Sequence, residues 1–475
     1  MTELHYMPAA EALQRFKART LSPVELMAAV IARAEAVEPV INAFAARYFD
    51  EAMARASKAE AKYAKTDGRP RSLEGLPLAV KDDTAIAGKP GTAGSLVPAN
   101  QVTGPTNPSV GRLIRAGAIV HARTTCPEFV WPWVCYSKRY GVTRNPWNPA
   151  ITSGSSSGGS GAALAAGSTP LATGSDSAGS IRHPAALCGV VGYKPPFGRN
   201  PNVAATNNDA YFHIGPMART VADCALMQNV MAGPHPLDHN TVRPKLRIPG
   251  EPKGIAGLRI AFSVDLGCYE VHADVRRETE AAVTALAEAG AAVTEVAIDW
   301  AGEAVEASHA WGAHIYADDF TAAVRDHPDK VCDYTPYFAR YNEAVTAADF
   351  HRAMTVAGRV WWDHLGPLFR KYDAFVCPTV ATHEVAADMK PWDDSLRVNG
   401  KPVGASDWAM TSLFNMFGRC PVLAVPSGMT GGGLPTSVQI AGRPYDDVTV
   451  FRVARALEAR RPLTGRPAIG SVRHG

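Results

Sequence analysis

The chain lacks the segments that carry proteins into or across membranes. Its 475 residues contain no run of about 20 apolar residues, the length that a membrane-spanning helix needs. Residues 1–14 include Glu3, His5 and Glu11 and have no apolar core of the kind found in secretory signals. From these absences we expect a cytoplasmic protein that has no membrane partner.

The chain also lacks a strong charge of either sign and any paired cysteine motif. Its formal net charge is only +3, which gives no reason to expect nucleic acid or an anionic membrane as a partner. The eight cysteines are scattered without a C-x-x-C pair, which argues against a zinc ribbon, a thioredoxin-like site and a disulfide framework. We therefore expect reduced, mostly buried thiols, and no metal cluster or cofactor-binding loop is visible in the sequence.

Strand-like and helical segments alternate through most of the chain. With 46% hydrophobic and 20% charged residues, the composition is that of a globular protein. Residues 8–65 read mostly as helices, and Ser22 to Glu25 form a capping box. Residues 258–298 carry a strand–helix–strand pattern, which predicts a parallel pair joined by a crossover helix. The alternation favours an α/β layered fold, and the Pro/Gly-rich stretch 232–256 is the best candidate for a linker.

The Gly/Ser-rich segment TSGSSSGGSG at 152–161 is ambiguous on its own. Flexible linkers and phosphate-binding loops both use such residues. The Gly-Lys-Ser/Thr ending of a nucleotide-binding P-loop is absent, because Gly161 is followed by Ala162. We predict a loop here, and a nucleotide-binding protein remains one alternative.

A second glycine- and serine-containing segment, GSDSAGSIRHPA at 174–185, has the features of a nucleophile turn. Glycine beside serine in a tight turn lets successive backbone N–H groups converge on a developing oxyanion. A serine at the end of such a turn attacks if a base reaches it. The order around Ser180 is not G-x-S-x-G, which disfavours the Ser-His-Asp triad of α/β-hydrolases, and a lone His183 is more often structural than catalytic.

Lys81 is the candidate base. It stands at the end of the apolar run GLPLAVK, where burial would disfavour its charged form and allow it to accept a proton. A salt bridge to Asp82 or Asp83 would instead keep it charged, and this alternative stays open.

These segments together resemble the amidase signature family. The matching segments are GLPLAVKDD around Lys81, TRNPWN at 143–148, SGSSSGGSGAALAAG at 153–167, GSDSAGSIRHPAALCGVVGYKP at 174–195, AGS at 93–95, TTCPEF at 124–129, GPMARTVAD at 215–223 and IAGRPYD at 440–446. The resemblance runs from about Leu21 to Leu457. It implies an α/β fold with a large mixed central β-sheet covered on both faces by helices, and hydrolysis of carboxylic amides. It also implies a single domain over 1–475, comprising a helical segment 8–65, a catalytic core 70–232, a possible linker 233–256 and a C-terminal α/β part 257–465.

The resemblance implies a Ser-cisSer-Lys triad. It falls on Ser180 as the nucleophile, Ser156 as the proton relay and Lys81 as the base, with a cis peptide bond between Ser155 and Ser156. Most members have G-G-S where this chain has Ala178-Gly179-Ser180, and glycine where it has Ser155. These departures leave open the geometry at Ala178, and leave Ser155 and Ser157 as less favoured relays. The backbone N–H groups implied for the oxyanion hole are those of Ser177, Ala178, Gly179 and Ser180.

In the family, the segment before the signature lines the acyl pocket. Here it is rich in aromatic residues, so we predict a pocket for a small apolar or aromatic amide, anilide or carbamate, although ordinary core packing is equally compatible. The candidate substrate-binding residues are Phe129, Trp131, Trp133, Tyr136 and Ser155. Weaker candidates are 207–213 and the regions around Trp408 and Phe414.

Two further functions remain as alternatives. One is an amidotransferase subunit that releases ammonia from glutamine within a complex, and the other is a non-catalytic ligand- or nucleotide-binding protein. The intact Lys81, Ser156 and Ser180 argue against the second. For the amidase, the expected partner is a small-molecule substrate, no cofactor or metal is needed, and a homodimer is left open.

Overall fold

The computed structural model describes residues 3–97, 104–204, 206–251 and 253–469. Within them lie fourteen α-helices and fifteen strands. The helices before residue 232 are α1 Ala9–Ala18, α2 Pro23–Ile41, α3 Phe49–Ala64, α4 Pro108–Arg115, α5 Gly158–Ala166, α6 Arg182–Cys188 and α7 Val221–Met231. The later helices are α8 Ala273–Glu288, α9 Ala301–Asp326, α10 Thr335–Ala344, α11 Ala347–Val360, α12 Gly366–Lys371, α13 Leu413–Met416 and α14 Asp447–Arg460.

Eleven of the strands form one sheet, and the other four form two short hairpins. The sheet strands are β1 Phe44–Arg47, β2 Pro77–Lys81, β3 Ile119–Thr124, β6 Leu171–Asp176, β7 Val191–Lys194, β8 His213–Ala218, β9 Arg259–Phe262, β10 Ala292–Glu295, β11 Ala374–Pro378, β14 Val422–Met429 and β15 Pro435–Gly442. The hairpin strands are β4 Tyr136–Ser137, β5 Gly141–Val142, β12 Arg397–Val398 and β13 Lys401–Pro402.

The sheet is mixed, with strand order β1-β3-β2-β6-β8-β7-β14-β15-β11-β9-β10. Strands β3, β2 and β6 run parallel to one another, as do β11, β9 and β10, and the strands between β6 and β11 pair antiparallel. The predicted strand–helix–strand unit is confirmed, since β9 and β10 are parallel neighbours joined through α8. Strands that precede residue 232 and strands that follow residue 256 belong to this one sheet. The described part of 232–256 contains none of the α-helices or strands.

Side chains of alternate residues along the strands enter different hydrophobic clusters. In β2, Leu78 and Val80 join one cluster while Ala79 joins another, and Leu171 and Ala172 of β6 divide in the same way. Because successive strand side chains point to opposite faces, this division means that both faces of the sheet are covered. The predicted fold class, a large mixed sheet with helices on both faces, is confirmed.

Two local predictions need correction. Phe44–Arg47 is the edge strand β1, whereas the sequence of 8–65 predicted mostly helix; its pairing with β3 is a tertiary contact that a four-residue segment does not reveal. The Gly/Ser segment is helical from Gly158 onward rather than a loop throughout. A Cβ atom on Gly159 would lie 2.5 Å from the Thr125 backbone nitrogen, so this glycine serves close packing and not flexibility.

The capping box at Ser22 is present, with the Ser22 hydroxyl accepting from the Glu25 N–H at 3.1 Å and the Glu25 carboxylate accepting from the Ser22 N–H at 2.7 Å.

Candidate active site

Two parallel strands bring the candidate base and the nucleophile turn to the same edge of the sheet. Lys81 is the last residue of β2, and β6 ends at Asp176, directly before the turn that carries Ser180. The strands are in register at Leu78 and Leu171, and the Lys81 N–H donates to the Thr173 hydroxyl at 3.2 Å. Since the carboxyl ends of parallel strands meet at one edge, residues distant in the sequence become neighbours there.

The Lys81 side chain is fully buried and its amine has three oxygen neighbours. Nζ lies 2.6 Å from Ser156 Oγ, 2.7 Å from Ser175 Oγ and 3.1 Å from Asp83 Oδ2. The Ser175 hydroxyl in turn donates to Asp83 Oδ2 at 2.5 Å. The ion pair that the sequence left open is therefore present, and it is made with Asp83. Asp82 is turned away and accepts from the Thr92 N–H and hydroxyl and from the Tyr140 hydroxyl.

Of the three successive serines, Ser156 is the one that contacts the lysine amine. The peptide bond between Ser155 and Ser156 is cis, as the resemblance implied. The Ser155 hydroxyl donates instead to the carbonyl oxygen of Pro132, and Ser157 precedes helix α5. The Ser157 N–H donates to the Ser180 carbonyl oxygen at 3.1 Å, which ties the segment after the relay serine to the nucleophile candidate.

The turn that carries Ser180 faces a cavity, but its four backbone N–H groups are not equivalent. Ser177, Ala178 and Ser180 line the cavity. The Gly179 N–H donates to Asp176 Oδ1 at 2.8 Å, so this one of the four predicted oxyanion donors is engaged elsewhere. Positive φ in this turn falls on Gly179, at 131°, and not on Ala178, so alanine is accommodated at 178 without left-handed strain.

A buried network of charged and amide side chains holds this turn in place. The Asp176 carboxylate accepts from Arg182 Nε and Nη2, both at 3.0 Å, from Asn415 Nδ2 at 2.8 Å and from the Ile181 N–H at 3.2 Å. Burial alone would raise the pKa of Asp176, but the charge and hydrogen bonds of Arg182 outweigh it and hold this pKa well below its usual range. Gln439 completes the set by accepting from Arg182 at 2.8 Å. The sequence analysis missed these roles, although Asp176 and Arg182 stand within the segment that it singled out.

His183 packs beneath the turn as a neutral side chain. Its Nε2 lies 2.5 Å from the Thr411 hydroxyl, which also donates to the Ala178 carbonyl oxygen at 2.5 Å. Its ring lies against Trp133 and Trp408, with centroid distances of 5.3 and 5.5 Å. Burial, reinforced by the nearby Arg182 charge, lowers the pKa of His183 to about 3. A structural role, which the sequence favoured for this histidine, agrees with these contacts.

The cavity at the turn has a volume of about 160 Å³, and eight of its 21 described lining residues are tryptophan, tyrosine or phenylalanine. Among the predicted substrate-binding residues, Trp131, Trp133 and Ser155 line it. Phe129 and Tyr136 do not: Phe129 packs against Phe320 with ring centroids 4.9 Å apart, and Tyr136 packs against Tyr334 at 5.3 Å. For these two residues the prediction that they line the pocket is wrong. Both rings belong to the aromatic cluster that also contains the cavity-lining Trp131, Tyr316 and Phe338, but they do not reach the cavity themselves.

Helices α9 and α10 supply much of the remaining cavity wall, and no prediction from the sequence included them. The wall residues from these helices are Ser308, His309, Trp311, Gly312, Tyr316, Tyr337, Phe338 and Tyr341. A signal was available, since Ser308, Gly312 and Tyr316 follow one another at four-residue spacing along one helix face. Of the weaker candidates, Asp209 and Tyr211 line the cavity. Ala405 and Ser406, close to Trp408, line it as well, whereas Trp408 and Phe414 themselves are buried in hydrophobic clusters.

Two further structural findings concern metals and membranes. In the part of the chain that the structure describes, His, Cys, Asp and Glu side chains form no group of three or more suited to a metal ion. Over the same residues, no helix combines the length and the apolar character needed to cross a membrane.

Comparison with known proteins agrees with the fold and shows the family. The family model described as Amidase matches residues 25–451. The chain is 35% identical to an acylamidase of Rhodococcus erythropolis, over 99% of both chains. It is 32% identical to the A-type subunit of the glutamyl-tRNA(Gln) amidotransferase of Chloroflexus aurantiacus, over 96% of this chain and 97% of that one. Its structure matches that of a bacterial aryl acylamidase with a TM-score of 0.88 and 27% identity, covering 97% of each chain. The chain therefore belongs to the amidase signature family, and it is a hydrolase of amide C–N bonds.

Proposed function

We propose that this amidase hydrolyses small apolar or aromatic amides, anilides or carbamates through an acyl-enzyme on Ser180. The observation that carries the proposal is the contact of 2.6 Å between Lys81 Nζ and Ser156 Oγ, on the segment that is hydrogen-bonded to Ser180 beside an aromatic cavity. A serine needs a base within hydrogen-bond reach, directly or through one relay, to become a nucleophile at neutral pH.

The proton relay runs from the nucleophile to the lysine. Neutral Lys81 accepts the hydroxyl proton of Ser156, which accepts that of Ser180, and Ser180 Oγ forms a bond to the carbonyl carbon of the substrate. The proton then returns through Ser156 to the leaving nitrogen as the C–N bond breaks. Water repeats the sequence on the acyl-enzyme and releases the acid. The oxyanion of each tetrahedral intermediate is stabilised by the backbone N–H groups of the cavity-lining residues of the turn.

The ion pair with Asp83 fits this sequence at the step where the lysine is charged. In the neutral form that the relay requires, the buried Lys81 amine accepts from one hydroxyl donor, Ser156, at 2.6 Å. Once the proton has moved, Asp83 Oδ2 at 3.1 Å and Ser175 Oγ at 2.7 Å stabilise the ammonium that forms. The pair of Lys81 with Asp83 therefore stabilises the charged lysine that the proton transfer produces.

The described part of the cavity wall lacks a lysine or arginine to bind the α-carboxylate of free glutamine. The related amidotransferase raises glutamine as a second candidate substrate, and glutamine carries an α-carboxylate that needs a cationic or strong donor partner when it is buried. Among the described residues that line the cavity, none is lysine or arginine. We therefore place aryl and apolar acyl compounds ahead of glutamine.

A hydrolysis assay with matched variants tests the proposal. The wild-type chain is given acetanilide, an aryl carbamate and glutamine, and product release is followed for each. We expect turnover of the first two and a fall in kcat of about 10³-fold or more for Ser180→Ala, Ser156→Ala and Lys81→Ala. Ser168→Ala is the matched control, because Ser168 is a buried serine outside the cavity whose hydroxyl has no partner among the described residues. Near-normal turnover in Ser180→Ala would refute the nucleophile, and turnover of glutamine alone would favour the amidotransferase candidate.

We propose in addition a single amidase domain over 1–475, and a cytoplasmic protein whose eight cysteines, all unpaired, suit a reducing compartment. A homodimer stays a prediction, which light scattering of the purified chain decides.

A further inference from the structure

Asp209 is the one carboxylate in the cavity wall. Among the described lining residues, none besides Asp209 is an aspartate, glutamate, lysine or arginine. The surrounding wall is built largely from the rings of Trp131, Trp133, Tyr211, Trp311, Tyr316, Tyr337, Phe338 and Tyr341. Burying the charge of an ionisable side chain in such a wall costs free energy unless a partner compensates that charge. Such side chains cluster at catalytic and binding sites.

Its position is fixed relative to the nucleophile turn. Strands β6 and β8 are antiparallel with Asp176 opposite His213, so the residues after Asp176 and those just before His213 lie at the same end of the strand pair. Asn415 ties the two segments together, since its Nδ2 lies 2.8 Å from Asp176 Oδ1 and 3.1 Å from the Tyr211 carbonyl oxygen. A small substrate bound at Ser180 therefore extends toward Asp209 along one cavity.

The carboxylate of Asp209 is held in place but its charge is not neutralised. Oδ2 accepts from the Tyr316 hydroxyl at 2.7 Å, and Oδ1 accepts from the Tyr211 N–H at 2.9 Å. Over the described chain, no lysine, arginine or histidine forms an ion pair with it. Burial raises the pKa of Asp209, partly offset by the Tyr211 N–H, the Tyr316 hydroxyl and the nearby Trp311 indole. The two hydrogen bonds from Tyr316 and Tyr211 use one acceptor position on each oxygen, which leaves room for a further donor from the cavity.

An aromatic wall around a lone carboxylate is suited to a cation. The faces of tryptophan and tyrosine rings attract a cation through their quadrupole, most strongly where water is excluded, and the carboxylate adds a direct charge-assisted hydrogen bond. A neutral apolar group contacts the aromatic rings but gives the Asp209 carboxylate neither a counter-charge nor a hydrogen-bond donor. We infer that Asp209 sets the specificity of the enzyme by binding a cationic amino group carried by the amide substrate, an inference that rests on the proposed amide hydrolysis at Ser180.

Two pairs of nearly isosteric substrates test the inference. One pair carries the charge on the acyl side, β-alanyl anilide against butyryl anilide, and the other carries it on the ring, 4-(aminomethyl)acetanilide against 4-ethylacetanilide. In the wild-type enzyme we expect kcat/KM to favour the cationic member of at least one pair by about tenfold or more. The measurement needs no variant, so it decides the inference even if substitutions at Asp209 fail to fold. No preference in either pair overturns it.

Two variants separate charge recognition from a structural role. Asp209→Asn is expected to lower kcat/KM for the cationic substrate by more than for its neutral partner, so that the cationic preference disappears. Tyr316→Phe is the matched control, because it removes one hydrogen bond to Asp209 but leaves the carboxylate, and the preference should persist. An equal fall for both substrates in Asp209→Asn would assign Asp209 a merely structural role and refute the inference. Turnover of neither substrate by wild type would instead refute the proposed function.

Discussion

The buried carboxylate of Asp176 is expected to contribute both to the stability of the protein and to the activity of the nucleophile turn. It accepts hydrogen bonds from both sides of the turn, from the N–H groups of Gly179 and Ile181, and from the side chains of Arg182 and Asn415. Asp176→Asn keeps the shape of the side chain but removes its charge. We therefore predict that this variant is destabilised and that its Ser180 is poorly positioned.

The size of the effect follows from the burial of the partner. The Asp176 and Arg182 side chains are both fully buried, so the substitution leaves a guanidinium charge inside the protein without a counter-charge. Breaking such a pair from one side costs about 3–5 kcal/mol, a large share of the roughly 5–15 kcal/mol by which proteins are stable. With a urea m-value of about 3 kcal/mol/M, the unfolding midpoint should fall by about 1 M or more.

Equilibrium unfolding in urea and the kcat of the folded variant are the two measurements. Asp326→Asn is the matched control, because Asp326 pairs with Arg325 in an exposed position where screening by water leaves little effect, and its midpoint should not move. A loss of less than about 1 kcal/mol in Asp176→Asn would refute the reasoning, since it would mean that the Arg182 charge is compensated without Asp176. A destabilised variant with normal kcat would refute the link to the turn.

The same pair predicts a pH dependence of a definite sign. The folded-state pKa of Asp176 lies below its ordinary value of 3.8, so ionised Asp176 contributes stability that is fully present above that value. This contribution is lost as the pH falls below about 4, because the unfolded chain then binds a proton that the folded chain excludes. The difference in unfolding free energy between wild type and Asp176→Asn should therefore narrow below pH 4.

Three further predictions concern the surroundings of the turn. Gly179→Ala should lower both the melting temperature and kcat, because the added Cβ would clash with Thr411 Oγ1 and lie 2.5 Å from the His183 ring. The φ of 131° at this position also disfavours alanine. The control variant Ala178→Gly should leave kcat nearly unchanged. Because the pKa of His183 is lowered from 6.5 to about 3, this residue should make wild type less stable as the pH falls from 6.5 toward 3, by at most about 1.4 kcal/mol per pH unit. The buried His121, His213 and His383 add to the same slope, so His183→Gln should reduce the slope in urea titrations without abolishing it. Trp131→Ala should raise the KM for anilides more than it lowers kcat, which steady-state kinetics measures, because it removes an aromatic wall and no reacting group.

Much of the fold followed from local patterns in the sequence. The capping box at Ser22, the β9–α8–β10 unit and the strand that ends in Lys81 each depend on residues close together in the chain, so their signals survive without tertiary information. The edge strand β1 did not follow, because a short strand is defined by its partner β3 and not by its own residues.

For the candidate site as well, one part could be predicted from the sequence and another part depends on the fold. The residue types at positions 81, 156 and 180 are legible in the sequence, and the resemblance that these segments carry gave their chemistry. That Ser156, and neither neighbouring serine, contacts Lys81 became clear only from the folded arrangement, as did the pairing of Asp83 with the amine. The direction of the Gly179 N–H toward Asp176 likewise depends on the folded turn.

The cavity depends on tertiary structure most completely. Trp131 contacts Tyr316 in the cavity wall at a ring-centroid distance of 5.4 Å, although the two residues are far apart in the chain. Phe129 and Tyr136 belong to the same aromatic cluster but do not line the cavity. Local sequence specifies that aromatic residues are buried, because burial of apolar area is a property of each side chain. Which rings line a cavity depends on how α9 packs against α10, α11 and α13, and that is set by long-range packing.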